Sequence, residues 1–128
     1  MTEALRNKVT AIKTFRDLIV WQKSISFVTE IYKMTNVFPK EEQFSLTSQL
    51  RRAAISIPSN IAEGFGRHTR KEYIRFLQIA IGSTFELQTQ IEIAKNLNFI
   101  SQENFSRVFE LSREIERMLS SLITKLKV

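Results

Sequence analysis

The sequence predicts an all-α protein, an antiparallel up-down-up-down four-helix bundle, and three observations predict it. Apolar residues recur at the spacing of a helical face in four separate stretches. The 128 residues include only three glycines and two prolines, which favours long regular elements with short connections. No stretch alternates in the manner of a half-buried strand, and there is no internal repeat or low-complexity run. Four helices of about 20–28 residues would each be about 30–42 Å long, and short links between such helices make antiparallel neighbours. Residues 14–128 are read as the bundle domain and residues 1–13 as a flexible N-terminal segment.

The first helix is expected to start at Thr14, whose hydroxyl can cap while Asp17 sits near the positive end of the dipole. Leu18, Trp21, Ile25, Val28, Tyr32 and Thr35 then form one stripe, taken as the core face. Pro39 ends the helix, because the residue before a proline is disfavoured in helical conformation. The second helix starts near Ser45 and aligns Leu46, Leu50, Ala53, Ile57 and Ile61. The third opens with Thr69 and Glu72 in a capping-box pattern and carries Tyr73, Phe76, Ala80, Ser83, Leu87, Ile91 and Ala94 on its core face. The fourth starts at Ser101 and presents Phe105, Val108, Ser112, Ile115, Leu119, Ile123 and Leu126, with Lys125 and Lys127 at the negative end of its dipole.

Two helices carry more apolar residues than one core face needs. Val20, Phe27 and Met34 recur well round from Trp21, and Ile74, Ile81 and Phe85 project roughly opposite Phe76. A broad core face with scattered surface apolars accounts for the first helix equally well, but a helix apolar on two sides usually has two burial partners, so these six are read as a self-association surface.

Between Arg51 and Tyr73 the chain reads "RRAAISIPSNIAEGFGRHTRKEY". Pro58 removes a backbone donor and crowds the carbonyl of Ala54, so a kink is expected there. Ser56, Ser59 and Asn60 are suited to bonding local backbone groups, Gly64 to ending the helix in left-handed conformation, and Gly66 to the turn that follows. A purely structural role accounts for all of these. The alternative is that backbone groups near Gly64 and Gly66 hold a phosphate with Arg67 and Arg70, beside the anion-favouring start of the third helix. No Gly-Lys-Ser/Thr follows the glycines and no strand precedes them, so this is not a nucleotide-binding P-loop.

The net charge is +6, with a pI near 9.9. Arg51, Arg52, Arg67, Arg70, Lys71 and Arg75 face only Glu63 and Glu72 over their stretch. Basic proteins of this size often meet nucleic acid or an anionic surface. No cysteine is present, which excludes disulfides and thiolate metal sites. No run approaches the ~20 apolar residues that span a bilayer, and the first residues lack a signal peptide's apolar centre. A cytoplasmic protein without membrane contact is expected.

Catalysis finds little support. His68 is the single histidine, and the carboxylates do not follow the Glu-x-x-His pattern of di-iron bundles, so no metal and no cofactor are expected. The arginine-then-histidine motif of HEPN-type helical ribonucleases would need arginine at Ile61, Ala62 or Glu63. Glu63 and His68 could be drawn as an acid–base pair, but such a glutamate more often bonds a neighbouring arginine. Trp21 and Tyr32 lie on the expected core stripe and are read as core, not as a base-stacking platform.

"FRDLIVWQKS" (15–24), "SQLRRAAISIPSNIAEGFGR" (48–67) and "FLQIAIGSTFELQTQIEIA" (76–94) closely resemble the bacterial four-helix-bundle family of proteins encoded in intervening sequences of 23S rRNA genes. The resemblance covers about Phe15 to Ile100, and "SIPSNIAEG" is its most specific block. It implies an antiparallel bundle that assembles as a ring-shaped homopentamer. The family's biochemical role is not established, and it offers no catalytic residues. Similar bundles are accessory proteins of diversity-generating retroelements, where a basic pentamer binds nucleic acid and a reverse transcriptase. Two departures stand out: Ser45 where glycine is expected before the second helix, and Asn98-Phe99 in place of a usual Gly-Tyr after the third.

The resulting expectation is a non-enzymatic homo-oligomer whose basic surface binds RNA or DNA backbone with little sequence specificity. Arg52 would share its face with Ser48, Ser56 and Ser59 as phosphate donors, and Arg67, Arg70, Lys71 and Arg75 would extend the patch. The alternative is a protein-interaction scaffold that docks an acidic partner without nucleic acid.

Overall fold

A computed structural model describes residues 12–128. Four helices run α1 (Ile19–Thr35), α2 (Leu46–Phe65), α3 (Arg70–Asn96) and α4 (Gln102–Leu126), with short 3-10 turns at Phe15–Asp17 and Lys40–Glu42. Each helix packs on its neighbours in sequence and α4 returns to α1, which closes the bundle. The α2–α3 contact is the most extensive and the α4–α1 seam the sparsest. The expected N-terminal segment lies outside the described residues except for Ile12 and Lys13.

Thr14 does cap, but it caps a single 3-10 turn. Its hydroxyl accepts from the Arg16 amide at 3.2 Å, and Asp17 Oδ2 accepts from the Thr14 amide at 3.1 Å. Leu18 then takes an extended backbone, and α1 begins one residue later than that break, at Ile19.

The core face of α1 differs from the expected stripe. Val20, Ser24, Phe27, Ile31, Met34 and Thr35 are buried, whereas Ile25 and Tyr32 are exposed and Trp21 and Val28 only half-buried. Val20, Phe27 and Met34 therefore belong to the chain's own core and cannot form a surface between copies. The polar Ser24 hid this face in the sequence. Its hydroxyl donates to the Trp21 carbonyl at 2.7 Å and Thr35 donates to the Ile31 carbonyl at 2.8 Å, so both sit inside without an unpaired donor. Ile74 and Ile81 also pack against the core, which leaves Phe85 as the exposed member of the six.

α2 runs through Pro58 without interruption, with the ring buried. Asn60 donates to the Ser56 carbonyl at 2.8 Å, and Ser56 and Ser83 share a hydroxyl bond of 2.8 Å that ties α2 to α3. No glycine has a positive φ. Gly64 stays helical and buried, α2 ends at Phe65, and Gly66 is the cap with φ −82°. The left-handed ending expected of Gly64 is thus absent, because the helix continues past it. A Cβ on Gly64 would lie 2.8 Å from Phe76 Cβ and 3.2 Å from the Tyr73 carbonyl oxygen, so glycine is needed for the approach of α3.

The faces of α3 and α4 follow the sequence closely. Ala80, Ser83, Leu87, Ile91 and Ala94 are buried, joined by Leu77, Thr84 and Gln90. Phe105, Val108, Ser112, Ile115, Leu119 and Ile123 are buried on α4. Thr69 Oγ1 accepts from the Glu72 amide at 3.1 Å, and Ser101 Oγ from that of Asn104 at 3.1 Å, so both hydroxyl caps form, although Glu72 does not complete the capping box expected at Thr69.

Candidate nucleic-acid interface

The turn between α2 and α3 is fixed by backbone bonds. The Gly66 amide donates to the Ala62 carbonyl at 3.3 Å and the Arg67 amide to that of Gly64 at 3.1 Å. Those two donors are used within the turn, so a phosphate cradle of freed amides at Gly64–Gly66 is not formed by them. What the turn does position is side chains. Arg67 Nη2 meets Glu63 Oε1 at 2.6 Å, and its guanidinium stands 4.7 Å from the centre of the Phe76 ring. Glu63 is therefore engaged by Arg67, not by His68.

One turn on, Arg70 Nη1 donates to the Val128 carbonyl oxygen at 2.9 Å, which sets the end of α4 beside the start of α3. Arg70, Lys71, Arg75 and Lys127 border an open groove of about 940 Å³ with Ile74 and Leu126 among its apolar lining. Lys125 lies on the far side of α4, in a second hollow with Ile12, Asp17 and Leu18. Antiparallel packing thus gathers the start of α1, the α2–α3 turn and the end of α4 at one end of the bundle.

That end holds the charge imbalance. Lys13, Arg16, Arg67, Arg70, Lys71, Arg75, Lys125 and Lys127 gather there, all exposed, against Asp17, Glu63 and Glu72. The other described residues balance, with nine Lys or Arg and nine Asp or Glu. Elsewhere four of the nine cations pair with an acid: Lys23 with Glu114, Lys95 with Glu92 at 2.7 Å, Arg107 with Glu30 at 3.0 Å and Arg113 with Glu116 at 3.4 Å. Among the described residues Arg70, Lys71, Arg75, Lys125 and Lys127 make no ion pair with an acidic side chain. Asp17 is held below the ordinary carboxylate range, first by the Lys13 amide, then by the Thr14 amide, and also by the Lys13 charge. Burial pushes the Tyr73 phenol up.

The six cations of the basic stretch, taken from the sequence as nucleic-acid-binding candidates, do not lie on one surface. Arg67, Arg70, Lys71 and Arg75 lie together at the turn. Arg52 is fifteen residues back along α2, about 22 Å at 1.5 Å per residue, and donates to Ser48 Oγ at 3.2 Å. Arg51 belongs to the scaffold. Its Nε donates to Thr35 Oγ1 at 2.9 Å, its Nη2 to the Tyr32 carbonyl at 3.4 Å, and its guanidinium lies 4.4 Å from the centre of the Tyr32 ring. Ser56 is likewise taken up by Ser83 and Asn60. The cations that sequence reasoning left out of the patch are Lys13, Arg16, Lys125 and Lys127. Alternating helix direction was the signal for the last two, since it returns the end of α4 to the start of α3.

No group of three or more His, Cys, Asp or Glu suited to a metal occurs among the described residues, and none of their helices is long and apolar enough to cross a membrane.

A crystal structure of a protein of unknown function from the S23 ribosomal protein family of Bacteroides thetaiotaomicron is similar to this chain, with 28% identity and a TM-score of 0.74 over 82% of this chain and 98% of that one. Among curated proteins no match was found. The model of the family described as 23S rRNA-intervening sequence protein matches residues 16–121, from the turn before α1 to near the end of α4. The chain belongs to that family.

Proposed function

We propose that this protein is a non-enzymatic, self-associating bundle that holds the phosphate backbone of RNA or DNA at its basic end, with little sequence specificity. The observation that carries the reading is the concentration of charge: one end has eight cations against three acids, while the other described residues are balanced. Exposed, unpaired cations around an open groove suit a diffuse polyanion, whose affinity comes from neutralised phosphates. The family name and the membership of a similar protein in a ribosomal protein family agree with this in a general way. Nothing in the patch has the geometry of a base-reading element, so contacts would position the backbone without reading sequence. The ring of five that the family resemblance implies would repeat the patch and let modest contacts add.

The test is binding of the purified protein to labelled single-stranded RNA and to duplex DNA across a salt series. The expected result is affinity that falls linearly with salt on logarithmic axes, with a slope of about −0.9 per phosphate contact on duplex DNA. Changing Arg70, Lys71, Arg75 and Lys127 together to alanine should flatten that slope. No binding at low salt would overturn the reading and favour an acidic protein partner at the same groove.

A further inference from the structure

We infer that the outer ridge of α3 seats in the apolar groove between α1 and α2 of a second copy, so that the contact is head-to-tail and not two-fold. The inference rests on the self-association proposed above and names its surfaces. Among the apolar features on the outside of the bundle are a ridge and a groove. On α3, Ile79, Phe85 and Ile93 are 41%, 49% and 44% exposed and share the solvent side of the helix. Between α1 and α2, a groove of about 320 Å³ is lined by Trp21, Ile25, Val28, Ile55, Pro58 and Ala62. Isolated surface apolar residues are ordinary, but a groove lined by these apolar side chains is a contiguous patch of the kind that marks a contact surface.

Gly82 points the same way. It lies on the α3 ridge one turn from both Ile79 and Phe85, and a Cβ there would meet nothing within 4 Å. Glycine inside a helix is unfavourable, and no contact within this chain requires it here. A helix approaching from another copy would.

Charge selects the pairing. Glu86 stands beside Phe85 on the ridge, and Arg52 stands one turn from Ile55 at the groove. Ridge against groove brings the acid toward the arginine, whereas a two-fold contact of ridge on ridge brings two copies of Glu86 together. Because the two surfaces differ and lie on different sides of the bundle, repetition gives a ring where the rotation closes.

The experiment measures native mass by light scattering for the wild type, for Phe85→Glu in the ridge and for Ile25→Glu in the groove. Both sites are exposed, and far-ultraviolet dichroism verifies that each variant keeps its helices; Ile55→Glu replaces Ile25→Glu should that variant lose them. The wild type should be assembled, each variant alone should run at the 15.0 kDa of one chain, and an equal mixture should give a species of about 30 kDa, twice the single chain. The mixture restores one complementary pair, the ridge of Ile25→Glu with the groove of Phe85→Glu, and cannot extend further. Either folded variant remaining fully assembled on its own would overturn the pairing while leaving self-association intact. So would a mixture that stays monomeric. A monomeric wild type would overturn self-association itself.

Discussion

Gly64 on α2 and Phe76 on α3 meet so closely that a Cβ on the glycine would fall 2.8 Å from that of the phenylalanine. The Tyr73 ring at 3.1 Å could turn aside, but Phe76 Cβ and the Tyr73 carbonyl at 3.2 Å are fixed to the α3 backbone, so moving a side chain alone does not clear the space. The α2–α3 pair is the most extensive contact in the bundle and carries the basic turn at its end. Gly64→Ala gains a little helix propensity but must push α3 outward. The overpacking cost, about 1–3 kcal/mol, outweighs a gain of about 1 kcal/mol, and the net loss should appear as a lower urea midpoint.

Arg51 separates stability from binding. It joins α2 to the last turn of α1 through Thr35, the Tyr32 carbonyl and the Tyr32 ring. A cation at the carbonyl end of a helix is favoured by the dipole, and the two bonds and ring contact add to that. Arg51→Met should cost about 1–2 kcal/mol in chemical denaturation. Its nucleic-acid affinity and salt slope should equal those of wild type, because the basic end is elsewhere. A flattened slope in this variant would return Arg51 to the binding surface.

These two residues show what the sequence could and could not reveal. Helix number, the caps at Thr69 and Ser101 and the core faces of α3 and α4 were legible, because strong periodicity and local capping chemistry agree. On α1 they conflict: Val20, Phe27 and Ile31 lie on one side, Trp21, Ile25 and Val28 on another, and only packing decides. The serine at position 24 favours the wrong side until its bond to the Trp21 carbonyl is known. Gly64 reads as a helix stop in one dimension and as a contact point in three. The basic patch was half legible, since charge counts along the chain find the α2–α3 turn but pair it with Arg51 and Arg52, which the length of α2 carries away.

Asp17 should give the protein a measurable acid dependence. Its carboxylate accepts from the Lys13 amide at 2.8 Å and the Thr14 amide at 3.1 Å, and these bonds lower its pKa below the ordinary value. A group whose folded pKa is depressed contributes stability above its unfolded pKa, about 3.9, and loses that contribution as pH falls through the folded value. Asp17→Asn should therefore melt below wild type at neutral pH, and the gap should narrow as the pH falls through the lowered pKa of the folded carboxylate. A gap of constant size from neutral to acid would show that the ionised carboxylate is not what holds the turn. Asp17→Asn should also raise nucleic-acid affinity slightly, since it removes an acid from the basic end.

Asn98 is the single non-glycine residue with positive φ among those described, at 63°. It follows the last residue of the α3 cap, and its amide donates to the Lys95 carbonyl at 2.9 Å while that of Phe99 donates to Ala94 at 2.9 Å. These are the paired bonds of a Schellman ending, and they seat Phe99 against Phe38 with ring centres 5.5 Å apart. Asparagine reaches the left-handed region more readily than other side chains, which is how this chain keeps the turn without glycine. Asn98→Gly should keep the turn and raise or leave stability unchanged. Asn98→Ala should lose about 1 kcal/mol, and Asn98→Val more, because a branched Cβ crowds its own carbonyl there. Urea midpoints in the order Gly, Asn, Ala, Val, with Gly and Asn close together, would verify the cap. Equal midpoints for Ala and Gly would mean that the backbone at position 98 is not held left-handed.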